Sequence, residues 1–546
     1  WPNYRSQRWG STHETFVRPI RWICALLGEE VVPVSYADVV SGNTTRGHRV
    51  LAPGEHVVAK PEAYEQVLEA AGVLSEERRR EVIAEGIARV EAERGGAHVD
   101  TPKKVLDEVV NLCEWPTVLV GTFDEEFLNV PHEIICESML SNQRYFPIYD
   151  AAGALTREFV VVSNGRPECA ERIIDGNERV VRARLYDAKF FYDEDLKVPL
   201  EELRSRLADV AFQEKLGSVL QKSERIEDLS LAIAHEARVG AHAASDAQRA
   251  AHFAKADLVT NMVYEFSDVQ GVMGREYARK AGEPEEVALA LYEQYLPRFA
   301  GDELPSGISG ALLGIGERLD TLTAIYKIGL EPTSSQDPYG LRRAARTINE
   351  LIWGLSLDID MDRALEMAAS QLELEPERLE KMKAFIALRQ QVQLREKGFS
   401  HEAVALAMQT IPSRPLQIYR LAEVLTKAGG ETWFAELITA AVRVKNLLSK
   451  VEEEVGAVDP AKFTSDSEKK LYEELGKLTK DAKSAVESRE WEKLAATMAE
   501  LAPVIAQFFN DVLVMDPDAA VRMNRIALLK ECQAFFMQIG DFSILK

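Results

Sequence analysis

Strand-forming signals stop near Pro199, and this one change of pattern most limits what the chain can become. Before it, β-branched runs closed by turn formers recur at 31–36 (VVPVSY), 117–121 (TVLVG) and 159–163 (FVVVS). Between the first two, 60–93 carries the apolar spacing and dense charge of amphipathic helices. After it, segments rich in Ala, Leu, Glu, Lys and Arg run to the end. The pattern predicts a multidomain α+β protein with a mixed α/β region first and all-α domains after it. Breakers at 301–310, 331–338 and 412–415, and the helix stop Gly429-Gly430, divide the helical part. They place domains at 1–200, 201–345, 346–430 (a helical linker region) and 431–546.

At 546 residues, 46% hydrophobic and 28% charged, the chain is long enough for several cores. Its five cysteines, Cys24, Cys113, Cys136, Cys169 and Cys532, are scattered, with no CxxC pair and an odd total. That argues against a disulfide framework or a structural zinc site and for a reducing cytoplasm. No uninterrupted apolar run reaches the length of a membrane span, and residues 1–5 lack a signal-peptide layout. The chain starts with Trp1 rather than Met, so a preceding segment is expected. A net charge of −23 repels a polyanion at long range, so RNA contact has to come from local basic faces, and indiscriminate DNA binding is disfavoured.

Helical projection locates such a face. On the segment AAVRVKNLL, Leu437, Ala441, Val444 and Leu448 fall on one stripe, while Arg443, Asn446 and Lys450 fall nearly opposite. Those groups suit phosphates and base edges, as Lys445 beside them also does, or they form a plain solvated surface. A second helix is expected to start at Asp516 as N-cap, with Pro517 in the first turn and Asp518 at the positive end of the dipole. Its apolar stripe runs through Leu528, Leu529, Cys532, Phe535, Phe536 and Ile539. Arg525 lies on that stripe and reads as a paired, partly buried arginine; Arg522 and Asn524 flank it and read as RNA contacts. The charged stretch 465–483 reads as a solvated helical face. In the N-terminal region, Arg144, Arg179, Arg182 and Arg184, with Tyr145 and Phe146 nearby, make a mixture that can grip single-stranded RNA or simply pack.

The order AAVRVKNLL, FFNDVLVMDPD, RMNRIALL resembles the DALR-type anticodon-binding domain of aminoacyl-tRNA synthetases. Upstream, RWGS (8–11), FVRPIRW (16–22), TTRGHR (44–49), EWP (114–116), NQRYFP (142–147), GNERV (176–180) and FQEKLG (212–217) resemble, in order, the beta subunit of bacterial glycyl-tRNA synthetases. The likeness continues through KADLVT (255–260), QGVMG (270–274), YLPRFAGD (295–302) and QDPYGLRR (336–343), and is weakest between about 350 and 430. It implies an α2β2 assembly. A separate alpha subunit would hold ATP and Mg and form the adenylate, and this chain would recognise glycine-accepting tRNA without a cofactor, metal or catalytic residue of its own. No GxxxxGK[ST] loop is present.

The middle helical region resembles an HD-type domain. The family's metal-binding His-Asp pair stands here as Ala256-Asp257, and the distant acid is Asp320. Without the imidazole, carboxylates are poor ligands for a transition metal, and His252 alone does not restore the set. A metal-dependent phosphohydrolase with an RNA-binding tail is therefore the alternative enzyme reading. A purely structural interaction protein is the other.

Overall fold

The computed structural model describes residues 6–333, 335–451 and 455–546. Residues 1–5, on which the signal-peptide reading rests, lie outside them. The chain divides into two units, one of 1–198 with 260–270 and one of 199–259 with 271–546.

In the first unit, four antiparallel strands, β1 (His98–Val99), β2 (Thr117–Thr122), β3 (Phe146–Tyr149) and β4 (Leu155–Ser163), lie in the order β1-β3-β4-β2. The β-branched runs explain the long pair: Val160 faces Val120 and Val162 faces Val118 across β4 and β2. Helices α1 (Glu76–Glu93) and α2 (Lys103–Leu112) share the core with this sheet, where Ile83, Val90, Val109 and Val110 meet Val118, Phe146 and Ile148. Ser75 caps α1 by accepting from the Arg78 N–H. Gly86 has to lack a side chain, because a Cβ there would stand 2.4 Å from a Val118 methyl. The run 31–36 does not make one strand. Pro33 interrupts it, leaving the short pieces Glu30–Val31 and Ser35–Tyr36.

Helix α3 (Ala170–Asp195) ends on a carboxylate that captures a distant segment. Asp195 accepts from the Asn261 backbone and amide N–H groups at 2.9 and 2.8 Å and from the Met262 N–H at 3.0 Å. These bonds account for 260–270 belonging to the first unit, which no local pattern announces.

The second unit is helical. Helices α4 (Val219–Glu236), α5 (Ala241–Phe253), α6 (Ile308–Lys327), α7 (Leu341–Gly354) and α8 (Pro376–Glu396) enclose one core around Leu319, Leu322, Ile348 and Met382. Helices α9 (His401–Thr410), α10 (Pro415–Ala428), α11 (Thr432–Leu448), α12 (Asp466–Ser488), α13 (Trp491–Asp511) and α14 (Ala519–Phe536) enclose another, containing Val404, Leu421, Leu437, Leu475, Ile505 and Leu529. The stretch 346–430, expected as a separate linker region, thus gives its first helices to one core and its last two to the other.

Candidate nucleic-acid interface

The stripe on α11 packs as its periodicity dictates. Leu437, Ala441, Val444 and Leu448 are buried, and Arg443, Asn446 and Lys450 are exposed. Arg443 lies over the Phe509 ring of α13, its guanidinium carbon 4.2 Å from the ring centroid, and among the described residues no carboxylate comes within ion-pair distance of it. Between α11 and α13 runs a groove of about 480 Å³. Small side chains form its floor, Ala435 and Ala440 on one helix and Ala502 and Ala506 on the other, so the facing backbones leave space that larger residues would fill.

Two expected contacts on these helices are used internally. Lys445 donates to Asp541 at 2.5 Å and to the Ser543 hydroxyl at 2.7 Å. Asn524, expected on an open flank, is 5% exposed; its amide oxygen accepts from the Asp459 N–H at 2.7 Å and its amide nitrogen donates to the Asp459 carbonyl at 3.1 Å. Reading a base would require Asn524 to give up both bonds inside the bundle. Arg522 is half-buried and donates to the Asp516 carbonyl at 2.8 Å, with further N–H groups on the same side chain.

The start of α14 differs from expectation by two residues. Asp518, not Asp516, is the cap and accepts from the Ala520 and Val521 N–H groups. Asp516 instead accepts from Arg525 at 2.7 Å. Arg525 is buried and also donates to Glu468 at 2.6 Å, Thr464 at 2.8 Å and the Leu513 carbonyl at 2.9 Å. It fastens α14 to the start of α12, where Ser465 and Glu468 form a capping box. Burial works to raise the Glu468 carboxyl, but the Arg525 bond and the Thr464 and Ser465 N–H groups prevail and hold it below the ordinary value.

In the first unit the basic cluster is paired. Arg144, in the left-handed region at φ 59°, bonds Glu108 at 2.7 Å; Arg179 meets Asp175 at 2.7 Å, Arg182 meets Asp124 at 3.0 Å and Arg184 meets Glu265 at 3.6 Å. Tyr145 is 7% exposed, stacks on Phe159 at 5.2 Å and gives its hydroxyl to Asn177; Phe146 is fully buried. Neither aromatic has a face for a base: Phe146 packs in the core shared with α1 and α2, and Tyr145 is closed in by Phe159. The exposed ion pairs are weak and open to competition from phosphate.

The metal-site reading is corrected by the same kind of accounting. Asp320, 1% exposed, accepts from Lys222 at 3.0 Å and Arg225 at 2.5 Å. Lys222 also lies 3.4 Å from Glu317, as does Lys255 at 3.9 Å, with the Lys255 ammonium 3.9 Å from the Tyr295 ring centroid. Fixed cations therefore neutralise these buried acids where the phosphohydrolase reading calls for a metal. Burial depresses the Lys255 ammonium to about 8 against the pull of Glu317. Asp257 accepts from the Gly271 N–H at 2.6 Å, and burial raises its carboxyl. His252 sits between Glu227 at 3.1 Å and Glu201 at 3.0 Å. No group of three or more His, Cys, Asp or Glu side chains among the described residues is placed to hold a metal ion.

Residues 437–541 match the DALR anticodon binding domain, and residues 2–409 match the family described as glycyl-tRNA synthetase beta subunit. The chain is 40% identical to a glycine–tRNA ligase beta subunit of Chromohalobacter salexigens over 551 aligned positions, covering all of this chain and 79% of that protein. It is 38% identical to the one from Moorella thermoacetica (99% of this chain, 79% of that protein) and 39% to the one from Myxococcus xanthus (99% and 78%). A helical anticodon-binding bundle behind a mixed α+β region defines a subunit of an aminoacyl-tRNA synthetase. The chain belongs to the glycyl-tRNA synthetase beta subunit family.

Helical projection of the sequence singled out Arg443 but not the other groups that line its groove, Phe509 and Asn510 on α13 and Glu436 on α11. Glu436 had a readable signal, because it precedes Arg443 by two helical turns and shares its face.

Proposed function

We propose that this chain binds glycine-accepting tRNA through the α11–α14 bundle and holds it for aminoacylation at the active site of a separate alpha subunit, in an α2β2 assembly in the cytoplasm. ATP and Mg bind the alpha subunit, and this chain needs no cofactor. Its contribution is binding energy and orientation, which bring the terminal adenosine of the tRNA to the glycyl-adenylate. The observation that carries the reading is Arg443, an exposed cation over the Phe509 ring with no carboxylate at ion-pair distance among the described residues, within residues that match an anticodon-binding domain. Arg443, Asn446, Lys450 and Arg522 are the proposed contacts. Lys445 and Asn524 position the helices, and Arg144, Arg179 and Arg182 are accessory phosphate contacts. No described helix is long and apolar enough to cross a membrane.

The test is aminoacylation with glycine, ATP and tRNA. Charging is expected only when alpha subunit and this chain are both present. Arg443→Ala and Arg522→Ala are each expected to weaken tRNA binding about tenfold. Full affinity and charging in both variants would refute the assigned face.

A further inference from the structure

The groove between α11 and α13 has a chemistry that a general phosphate contact does not need. Glu436, Thr439 and Arg443 line one wall at positions i, i+3 and i+7, and Phe509 and Asn510 line the other. Glu436 and Asn510 are exposed, and neither side chain has a hydrogen-bond or ion-pair partner among the described residues. A carboxylate in an RNA-binding face is costly, since it repels every phosphate. A carboxylate there can offset that cost by accepting a hydrogen bond from a base. Seven residues of helix put Glu436 and Arg443 about 10 Å apart along the axis, leaving room for a planar ring between them. The Arg443 guanidinium, backed by Phe509, offers a flat cationic surface of the kind on which unstacked bases rest.

We propose that this groove seats one cytosine of the anticodon. The ring stacks on Arg443, the exocyclic amine donates to the Glu436 carboxylate, and the Asn510 amide donates to the cytosine carbonyl oxygen. The assignment rests on the tRNA-binding reading above and adds a specificity determinant, Glu436, to it. Cytosine rather than guanine, whose N1 and N2 donors also suit a carboxylate, follows from the code. Glycine codons share two leading guanines, so the bases common to all glycine anticodons are two cytosines. Uracil is excluded because it turns a carbonyl oxygen, not an amine, towards Glu436.

The experiment measures the affinity of the full chain, with the alpha subunit present, for glycine-accepting tRNA and for two variants in which one or the other anticodon cytosine is uracil. The wild-type chain is expected to lose about tenfold or more on one of the two replacements. Glu436→Gln, which offers an amide donor to the uracil carbonyl, is expected to bring that preference to within about threefold. Phe509→Leu is expected to weaken binding of all three tRNAs alike, because it removes the backing of the stack and not the reading group. If Glu436→Gln keeps the wild-type preference while the wild-type complex binds tRNA, the groove assignment is wrong and the tRNA-binding reading stands. If the wild-type complex binds no glycine-accepting tRNA, both fall.

Discussion

Arg443 and Arg525 show how little residue type decides. Both lie on helices of one bundle, yet the first faces out over an aromatic ring and the second is 6% exposed with four acceptors around it. Arg525→Ala is expected to cost about 3–5 kcal/mol in chemical denaturation, because Glu468 is left buried without its cation. Arg443→Ala should leave stability within about 0.5 kcal/mol of wild type and act on tRNA affinity alone. Asp320 makes the same point in the other core. Asp320→Ala strands Lys222 and is expected to destabilise by about 3–5 kcal/mol, while a chelator leaves the melting temperature of the wild-type chain unchanged. A chelator-sensitive melt would restore the metal reading.

At the scale of elements, periodicity was legible and the partners of the polar groups were not. The stripes of α11 and α14 are buried as projected, since a helix presents one face at a fixed angular step. The cap of α14 was misplaced because Asp516 and Asp518 are equally good caps locally, and Arg525, reaching from the second turn, claims the first. The junctions these acids make are pH-sensitive. Burial opposes ionisation of both Glu468 and Asp541, but Arg525 in one case and Lys445 with Ser543 in the other hold them below their ordinary values of 4.5 and 3.8. Carboxyls depressed on folding stabilise fully above those ordinary values and lose their contribution as pH falls through the lowered ones. The bundle is therefore expected to loosen below about pH 4, followed by hydrogen exchange in α12 and α14, and Lys445→Met should flatten the part due to Asp541.

For the whole molecule, a charge of −23 sets the approach of a polyanion against local attraction. Raising salt from low to physiological strength should screen that repulsion, so the tRNA association rate is expected to stay level or rise while dissociation quickens. Stopped-flow fluorescence would show it; an association rate that falls steeply with salt would mean that a basic field dominates the approach. The two-unit organisation also belongs to this scale, because 260–270 joins the first unit through Asp195 across more than sixty intervening residues.

The sequence by itself determined the division into a mixed region and a helical one, the buried stripes of the bundle and, through motifs in a fixed order, the family. These are properties of local periodicity and linear order, which any stretch of chain carries with it. Tertiary structure alone decided which polar groups remain free. Lys445 and Asn524 are occupied by Asp541 and Asp459, Tyr145 is closed off by Phe159, and Glu436 is brought opposite Asn510 by the packing of α11 on α13. A side chain's availability depends on what lies across from it, and residues far apart in sequence meet only when the helices pack.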